Sequence, residues 1–359
     1  MSRFLKERLQ GFDSYTPGEQ PKDTEYIKLN TNESPYPPSP EVINRLKETD
    51  FMKLRLYPDP TGRQLKKKLA GLYGLEKENI FISNGSDDIL NFAMMAFNGD
   101  DDVTVIPDIT YSFYKSVMEL HDIRYETIPL RDDFSIDAKD YVGLCKNIII
   151  PNPNAPTGLT LSLSEIEEII SSNPDNVVLI DEAYVDFGAC SAAGLVKKYD
   201  NLLVSQTFSK SRSFAGGRLG FAIGSPGLIS DLALIQYSTN PYNVNNLSLI
   251  LAEAAVDSND YYMENCRHIE ATREWTSGEL EKLGFMVIPS KANFIFASHP
   301  DVSGDDIYRI LKEKGILVRH FTQDRIRDYN RISIGTDEQM EMLVERMKEI
   351  LAESQSKGE

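Results

Sequence analysis

Apolar positions change their spacing repeatedly between about residue 79 and residue 225. Short runs rich in β-branched residues alternate there with longer segments in which apolar residues recur at helical spacing. This alternation is typical of a mainly parallel sheet with helices packed on it. Helices are expected after Ser86, Tyr111, Ser164 and Pro226. The candidate strands of this large α/β domain are segments 80–82, 103–106, 148–150, 177–180, 202–204 and 221–223.

The remainder of the chain predicts a second, smaller domain. A long helical pattern over about residues 259–283 leads out of the large domain. Beyond it, segments 293–296, 316–318 and 331–334 are predicted strands, and 305–314 and 337–351 are predicted helices. The proline-rich segment 33–40 fits neither a regular helix nor a central strand, so an extended arm is expected there. We therefore divide the chain into an amino-terminal arm with part of the small domain (1–44), a large domain (45–255) and a small carboxyl-terminal domain (256–359).

Composition limits the classes of function. The 359 residues are 41% hydrophobic, enough for a large core, and no apolar run approaches the roughly 20 residues that cross a bilayer. Residues 1–7 lack the apolar region of a secretory signal, so a soluble, cytoplasmic protein without a membrane partner is expected. The net charge of −17 disfavours a nucleic-acid partner. Three cysteines and four scattered histidines predict neither a disulfide framework nor a metal site.

One lysine has neighbours that suit covalent chemistry. Lys210 lies among small hydroxyl residues, and Arg218 follows eight positions later. Upstream, a predicted strand ends in Asp181, with Tyr184 three residues on, at the sheet edge where α/β proteins bind ligands. A lysine that forms a Schiff base, an acid for a pyridinium nitrogen, and hydroxyls with an arginine for a phosphate together indicate a pyridoxal phosphate site. A hydroxyl nucleophile activated within a Ser209–Lys210 pair is the alternative, although it requires neither the acid nor the arginine.

Further polar and aromatic residues follow other predicted strands. Gly85 permits a tight turn before a helix, where free amides and the Ser86 hydroxyl can hold a phosphate; an ordinary cap by Ser86 or Asp87 is the alternative. Tyr111 is interpreted as stacking on a pyridine ring, and packing in the core is the alternative. The Asn154 amide is interpreted as a donor to a phenolate oxygen of the cofactor, and a plain turn is the alternative. Because all these positions fall at strand ends of one sheet, alongside Asp181 and Lys210, the functional interpretation is favoured.

Longer motifs carry a family resemblance over nearly the whole chain. They are Leu-Asn-Thr-Asn-Glu-Ser-Pro (29–35), Tyr-Pro-Asp (57–59), Asn-Gly-Ser-Asp (84–87), Asp-Glu-Ala-Tyr (181–184), Phe-Ser-Lys (208–210), Pro-Tyr-Asn-Val (241–244) and Arg-Ile-Ser-Ile-Gly (331–335). With these motifs the chain resembles the fold-type I pyridoxal phosphate aminotransferases, and specifically the histidinol-phosphate aminotransferases. The resemblance implies a large domain with a mainly parallel, seven-stranded type of sheet between helices and a smaller α+β domain.

The resemblance also implies roles for individual residues in binding the cofactor. Lys210 would form the Schiff base and then act as general base and acid, Asp181 would pair with the pyridinium nitrogen, and Tyr184 would contact the phenolic oxygen. Tyr111 would stack on the ring. Tyr57 would reach the cofactor phosphate of a neighbouring subunit, which implies a homodimer with shared active sites. The other residues implied to bind pyridoxal 5'-phosphate are Gly85, Ser86, Asp87, Asn154, Thr207, Ser209 and Arg218.

The substrate side is implied in the same way. Arg331 would clamp the α-carboxylate of the amino donor, and Arg319, Tyr15 and Asn32 would bind the rest of the substrate. The reaction would belong to histidine biosynthesis. It would transfer an amino group by a ping-pong mechanism between two pairs of compounds: histidinol phosphate with imidazole acetol phosphate, and glutamate with 2-oxoglutarate. An aromatic or broad-range aminotransferase, a phosphothreonine decarboxylase and a non-catalytic regulator that binds the cofactor are the alternatives.

One position departs from the family pattern. The family has an asparagine immediately before the Pro-Thr-Gly turn, whereas Ala155 stands here. Alanine cannot donate a hydrogen bond to the phenolate oxygen. Either Asn154 reaches that oxygen instead or Tyr184 serves alone.

Overall fold

The computed structural model describes residues 2–12, 14–21 and 25–358. The strands of this part of the chain are β1 (Ile27–Lys28), β2 (Ile80–Ser83), β3 (Val103–Pro107), β4 (Arg124–Ile128), β5 (Asn147–Pro151), β6 (Val178–Asp181), β7 (Leu202–Thr207), β8 (Gly220–Gly224), β9 (Met286–Ile288), β10 (Phe294–Ser298), β11 (Ile316–Leu317), β12 (Arg319–His320) and β13 (Tyr329–Ser333). Its α-helices are α1 (Pro40–Glu48), α2 (Arg63–Tyr73), α3 (Ser86–Phe97), α4 (Phe113–His121), α5 (Leu163–Ser172), α6 (Pro226–Thr239), α7 (Asn246–Asp257), α8 (Asn259–Lys282), α9 (Gly304–Glu313) and α10 (Asp337–Gly358).

A seven-stranded sheet forms the centre of the large α/β part. Its strand order is β2-β8-β7-β6-β5-β3-β4, and β8 alone runs antiparallel to both of its neighbours. All six strands predicted from the apolar runs are present in it. The sequence did not predict β4, whose residues Arg-Tyr-Glu-Thr-Ile lie at the edge of the sheet and are mostly part-exposed or exposed. The carboxyl ends of β3, β5, β6 and β7 lie at one edge because these strands are parallel.

Helices cover both faces of this sheet. Along β5, Ile148 and Ile150 pack in one apolar cluster with α2, α5 and α7, whereas Ile149 packs in another with α3, α4 and α6. Successive strand residues point to opposite faces, so a strand covered on both sides reads as an unbroken apolar run. Each fully buried residue of this kind contributes about 1.5–3 kcal/mol. This double burial explains why the central strands were visible in the sequence.

The carboxyl-terminal part forms a smaller α+β body. Its four-stranded antiparallel sheet has the order β12-β13-β10-β9 and packs against α8, α9 and α10. Strand β1 joins this body through parallel pairing of Ile27 with Ile316 in β11. The chain has no regular helix or strand from there until α1, where the Ser39 hydroxyl accepts a hydrogen bond from the Val42 amide. The boundaries at residues 44 and 255 stay predictions.

The structure also bears on membrane-spanning helices and on disulfides. Within the described ranges, no helix is long and apolar enough to cross a membrane. Cys145, Cys190 and Cys266 all have free thiols, and the first two are exposed.

Candidate functional site

A cavity of about 690 Å³ opens between the sheet edge, the amino-terminal segment and the small α+β body. Of the sequence-predicted site residues, Gly85, Asn154 and Tyr57 do not line it. The wall also contains residues that the sequence did not indicate, among them Gln20, Thr31, Glu33, Tyr114 and Phe321. The sequence-predicted residues that it brings together are Tyr15, Asn32, Ser86, Asp87, Tyr111, Asp181, Tyr184, Thr207, Ser209, Lys210, Arg218, Arg319 and Arg331.

Lys210 presents its amine to this cavity from the loop after β7. The amine donates a hydrogen bond to the Thr31 carbonyl at 2.9 Å. Burial lowers the pKa of Lys210 to about 8, and the positive charge of Arg331 contributes more to this than that of Arg218. With a pKa of about 8, roughly one amine in ten is neutral at pH 7.

Asp181 ends β6, and its two oxygens have different surroundings. Oδ2 accepts a 2.6 Å hydrogen bond from the hydroxyl of Tyr114, which lies in α4 and is fully buried. Oδ1 is buried and has no side-chain hydrogen-bond partner among the described residues. Burial raises the pKa of Asp181 to about 6, while hydrogen bonds from Tyr114 and from the Ala183 backbone oppose that rise. Asp181 therefore lines the cavity mainly as a carboxylate at neutral pH.

Tyr184 lies beyond the end of β6 with its ring edge-on to Phe294, at a centroid distance of 5.1 Å. Its oxygen accepts a 2.9 Å hydrogen bond from the side-chain amide of Asn32. The pKa of Tyr184 is raised by burial, against the opposing effects of Arg331 and of the Asn32 hydrogen bond. A contact between Asn32 and Tyr184 was not expected from the sequence.

Asn154, the sequence-predicted amide donor, points elsewhere. Its Nδ2 donates to the carbonyl of Ile109 at 3.0 Å, and its Oδ1 accepts from the hydroxyl of Thr110 at 3.1 Å. The amide thus fixes the turn after β3, while the neighbouring Ala155 lines the cavity. Asn154 itself does not line the cavity, although its partner Thr110 does, and its role as a donor to the cofactor stays a prediction.

The turn between β2 and α3 forms the end of the cavity that suits a phosphate. Gly85 has a φ of 85°, and α3 begins at Ser86, so the first amides of the helix are available to an anion. A Cβ atom on Gly220 would lie 2.5 Å from Ser86 N, so only glycine lets β8 begin this close to the turn. Arg218 Nη2 donates to Asp87 Oδ2 at 3.1 Å. Thr207 and Ser209 line the same wall.

Two arginines face each other at the opposite end. Arg319 in β12 pairs directly across the sheet with Arg331 in β13. Like charges in this register repel each other, and Arg331 is also deprived of water, so its pKa is lowered mainly by burial and further by Arg319. Arg331 Nη2 donates to the Asn30 carbonyl at 3.1 Å, whereas its Nε has no hydrogen-bond partner in the part of the chain that the structure describes. The pair is therefore suited to bind an anion between the two guanidinium groups.

Two tyrosines assigned to the site differ in their surroundings. Tyr15 packs edge-on against Tyr111 and Phe113, at centroid distances of 5.7 and 5.8 Å. Tyr57 is 81% exposed and stacks on Tyr242 at 4.5 Å, outside the cavity of its own chain.

Comparison with known proteins assigns the chain to a family. The model of the family described as aminotransferase class I and II matches residues 24–347. The histidinol-phosphate aminotransferase of Brachyspira hyodysenteriae is 54% identical over 98% of this chain and 99% of its own length. That of Clostridium acetobutylicum is 49% identical over 98% of this chain and 100% of its own length. The crystal structure of histidinol-phosphate aminotransferase from Sinorhizobium meliloti in complex with pyridoxal-5'-phosphate shares the fold, with a TM-score of 0.87 at 22% identity over 98% of this chain and 99% of that one. The chain belongs to the class I and II aminotransferases and, within them, to the histidinol-phosphate aminotransferase family.

Proposed function

We propose that the protein exchanges an amino group between histidinol phosphate and 2-oxoglutarate, with pyridoxal 5'-phosphate bound in the cavity and ping-pong kinetics. The observation that carries this proposal is one arrangement: the Lys210 amine lies in the same cavity as a buried, half-partnered Asp181 and two opposed arginines. A hydroxyl nucleophile activated by Lys210 would leave Asp181 and the arginines without a role.

The residues of the cavity match the chemical groups of this cofactor. The carboxylate of Asp181 lines the cavity and suits a protonated ring nitrogen, because an adjacent anion favours that protonated form. Tyr184 offers a hydroxyl to the phenolic oxygen. The helix start at Ser86 and the guanidinium of Arg218 suit the phosphate. When bound, the cofactor supplies a ring that accepts the electron pair left behind as the substrate's α-proton departs.

Lys210 has the properties required to move that proton. Burial and the charge of Arg331 hold its pKa near 8, so the amine has a neutral fraction at physiological pH that can accept a proton. Its hydrogen bond to the Thr31 carbonyl gives the amine a fixed direction. A base of this kind contributes about 10²- to 10⁴-fold to the rate.

The two opposed arginines account for substrates with different anions. Glutamate presents carboxylates, and histidinol phosphate presents a phosphate. A guanidinium fork binds either group through two parallel hydrogen bonds, and Arg319 and Arg331 both line the cavity. The Phe321 ring lies within 6.0 Å of both guanidinium carbons and limits their access to water.

The subunit arrangement is also part of the proposal. Exposed apolar side chains extend along the segment before Tyr57, namely Phe51, Met52, Leu54 and Leu56. A second copy of the chain that covers this segment would bring each Tyr57 to the cavity of the other copy, giving a homodimer with shared sites. Sedimentation analysis should give a dimer mass; a monomer with full activity would contradict this arrangement. A cytoplasmic location stays a prediction.

A comparison of substrates tests the reaction. The cofactor-loaded protein is mixed separately with histidinol phosphate, phenylalanine and threonine phosphate, and the spectral change of the bound cofactor is followed with 2-oxoglutarate as acceptor. We expect the highest kcat/KM with histidinol phosphate. A higher value with phenylalanine would favour an aromatic aminotransferase, and release of carbon dioxide from threonine phosphate would favour a decarboxylase. Absence of transfer from every donor would indicate a non-catalytic protein.

A further inference from the structure

The hydroxyl of Tyr184 is held by a side chain that lies far away in the sequence. The loop that passes the phenol of Tyr184 supplies no side-chain amide to it: Asn152 is bonded to the backbone of Leu161, Asn154 to Ile109 and Thr110, and Ala155 has no polar atom. The amide that does reach the phenol comes from 152 residues earlier in the chain, at Asn32.

Asn32 is fixed from several directions. Its backbone N–H donates to the Ser333 hydroxyl at 2.8 Å, and the same hydroxyl donates to Asn32 Oδ1 at 2.9 Å. Its carbonyl accepts from the amide of Asn293 at 2.9 Å. The Ser333 oxygen accepts the backbone N–H and donates its own hydrogen to Oδ1, so the other end of the Asn32 amide, the NH₂ group, points at the phenol of Tyr184.

This orientation determines the direction of the hydrogen bond that Tyr184 can make. Its oxygen accepts from Asn32 Nδ2 at 2.9 Å, so its own O–H is left to donate into the cavity. A hydroxyl that accepts one hydrogen bond becomes a better donor in the next. Asn32 is 1% exposed, with a φ of 56°, a conformation that asparagine tolerates better than most residues.

We propose that Asn32 is a positioning residue that acts through Tyr184, aiming the phenol hydroxyl at the phenolic oxygen of the cofactor in place of the amide that Ala155 lacks. The inference rests on the proposed function, because it requires the cofactor in this cavity. It also reassigns Asn32, which the family resemblance had placed with the substrate-binding residues. In this role Asn32 affects the affinity for the cofactor, whereas a substrate ligand would affect the KM of the amino donor.

A double-mutant cycle separates the two roles. Wild type, Asn32→Gly, Tyr184→Phe and the double variant are prepared without cofactor, and the dissociation constant for pyridoxal 5'-phosphate is measured by equilibrium dialysis. Glycine adopts the backbone conformation of Asn32 without strain. Cys145→Gly is the matched control, because exposed Cys145 also has a positive φ, of 52°, and lies outside the cavity wall.

We expect Asn32→Gly to weaken cofactor binding about fivefold, the effect of losing one hydrogen bond, and to change the KM for glutamate by less than about threefold. In the Tyr184→Phe background, Asn32→Gly should have no further effect, and Cys145→Gly should bind as wild type does. Equal weakening in both backgrounds would overturn the inference. So would unchanged cofactor affinity with a glutamate KM raised about tenfold.

A second variant covers a failure of Asn32→Gly to fold. Asn32→Asp keeps an acceptor for Ser333 but has no N–H for Tyr184, so it should weaken cofactor binding at least as much; wild-type affinity in this variant would overturn the inference. If wild type itself binds no pyridoxal 5'-phosphate, the proposed function fails instead. The two failures are therefore distinguishable.

Discussion

The substitution Tyr114→Phe removes the hydroxyl group that donates a hydrogen bond to Asp181. The Tyr114 hydroxyl is buried and donates to Asp181 Oδ2 at 2.6 Å. The other carboxylate oxygen accepts from no side chain of residues 2–12, 14–21 and 25–358. In Tyr114→Phe the carboxylate therefore loses a short hydrogen bond at a position that water does not reach.

The size of the effect follows from the strength of that bond. A hydrogen bond to a charged group contributes about 1.5–3 kcal/mol, and about 1.4 kcal/mol corresponds to one pH unit. The pKa of Asp181, about 6 in the wild type, should therefore rise by about one to two pH units in the variant. A carboxyl group is ionised above its pKa, so a higher pKa leaves more of it neutral at pH 7. Because the protonated ring nitrogen requires the anion, cofactor affinity at pH 7 should fall about two- to tenfold and recover towards pH 9.

The assay is a titration of the cofactor-free protein with pyridoxal 5'-phosphate, followed by quenching of protein fluorescence, from about pH 5 to about pH 9. Tyr141→Phe is the matched control, because the buried Tyr141 hydroxyl has no hydrogen-bond partner within the described ranges. We expect the pH midpoint of binding to move upward in Tyr114→Phe only. A Tyr114→Phe midpoint equal to that of wild type, or an equal shift in Tyr141→Phe, would show that the Tyr114 hydrogen bond does not control the charge of Asp181.

Two other substitutions test the arginine pair and the phosphate-binding turn. Arg331→Lys keeps the charge but loses the bidentate fork, so the KM for glutamate should rise about tenfold or more in steady-state assays, whereas Arg327→Lys, at an exposed arginine, should leave it unchanged. Gly220→Ala places a methyl group 2.5 Å from Ser86 N and should weaken cofactor binding about tenfold by dialysis; wild-type affinity would show that the turn can move without loss.

The parts of the fold that could be predicted are those in which burial leaves a pattern in the chain. The central strands lie between two helical layers, so their residues are apolar without interruption, as in β5 and β6. Edge strand β4 carries Arg124 and Glu126 and gives no such run. Strands β9 and β12 have three and two residues, too few for any periodicity. The pairing of Arg319 with Arg331 could not be predicted from the sequence for the same reason, because it depends on β12.

In the candidate site, too, some features could be predicted from the sequence and others could not. Lys210 and Asp181 could be predicted because each follows a recognisable strand, and parallel strands bring their carboxyl ends together. The contacts that hold these residues could not be predicted. Tyr114 bonds to Asp181 over 67 positions, and Asn32 bonds to Tyr184 over 152. Such contacts are set by the packing of α4 and of the amino-terminal segment, which no local motif determines.

The central claim is that Lys210 is the amine that bonds to the cofactor aldehyde. The most direct measurement is borohydride reduction of the protein loaded with pyridoxal 5'-phosphate, followed by proteolysis and mass mapping of the labelled peptide. The account predicts a single label on Lys210, together with loss of both label and turnover in Lys210→Ala. A label on another lysine, or none on a protein that still exchanges amino groups, would contradict it.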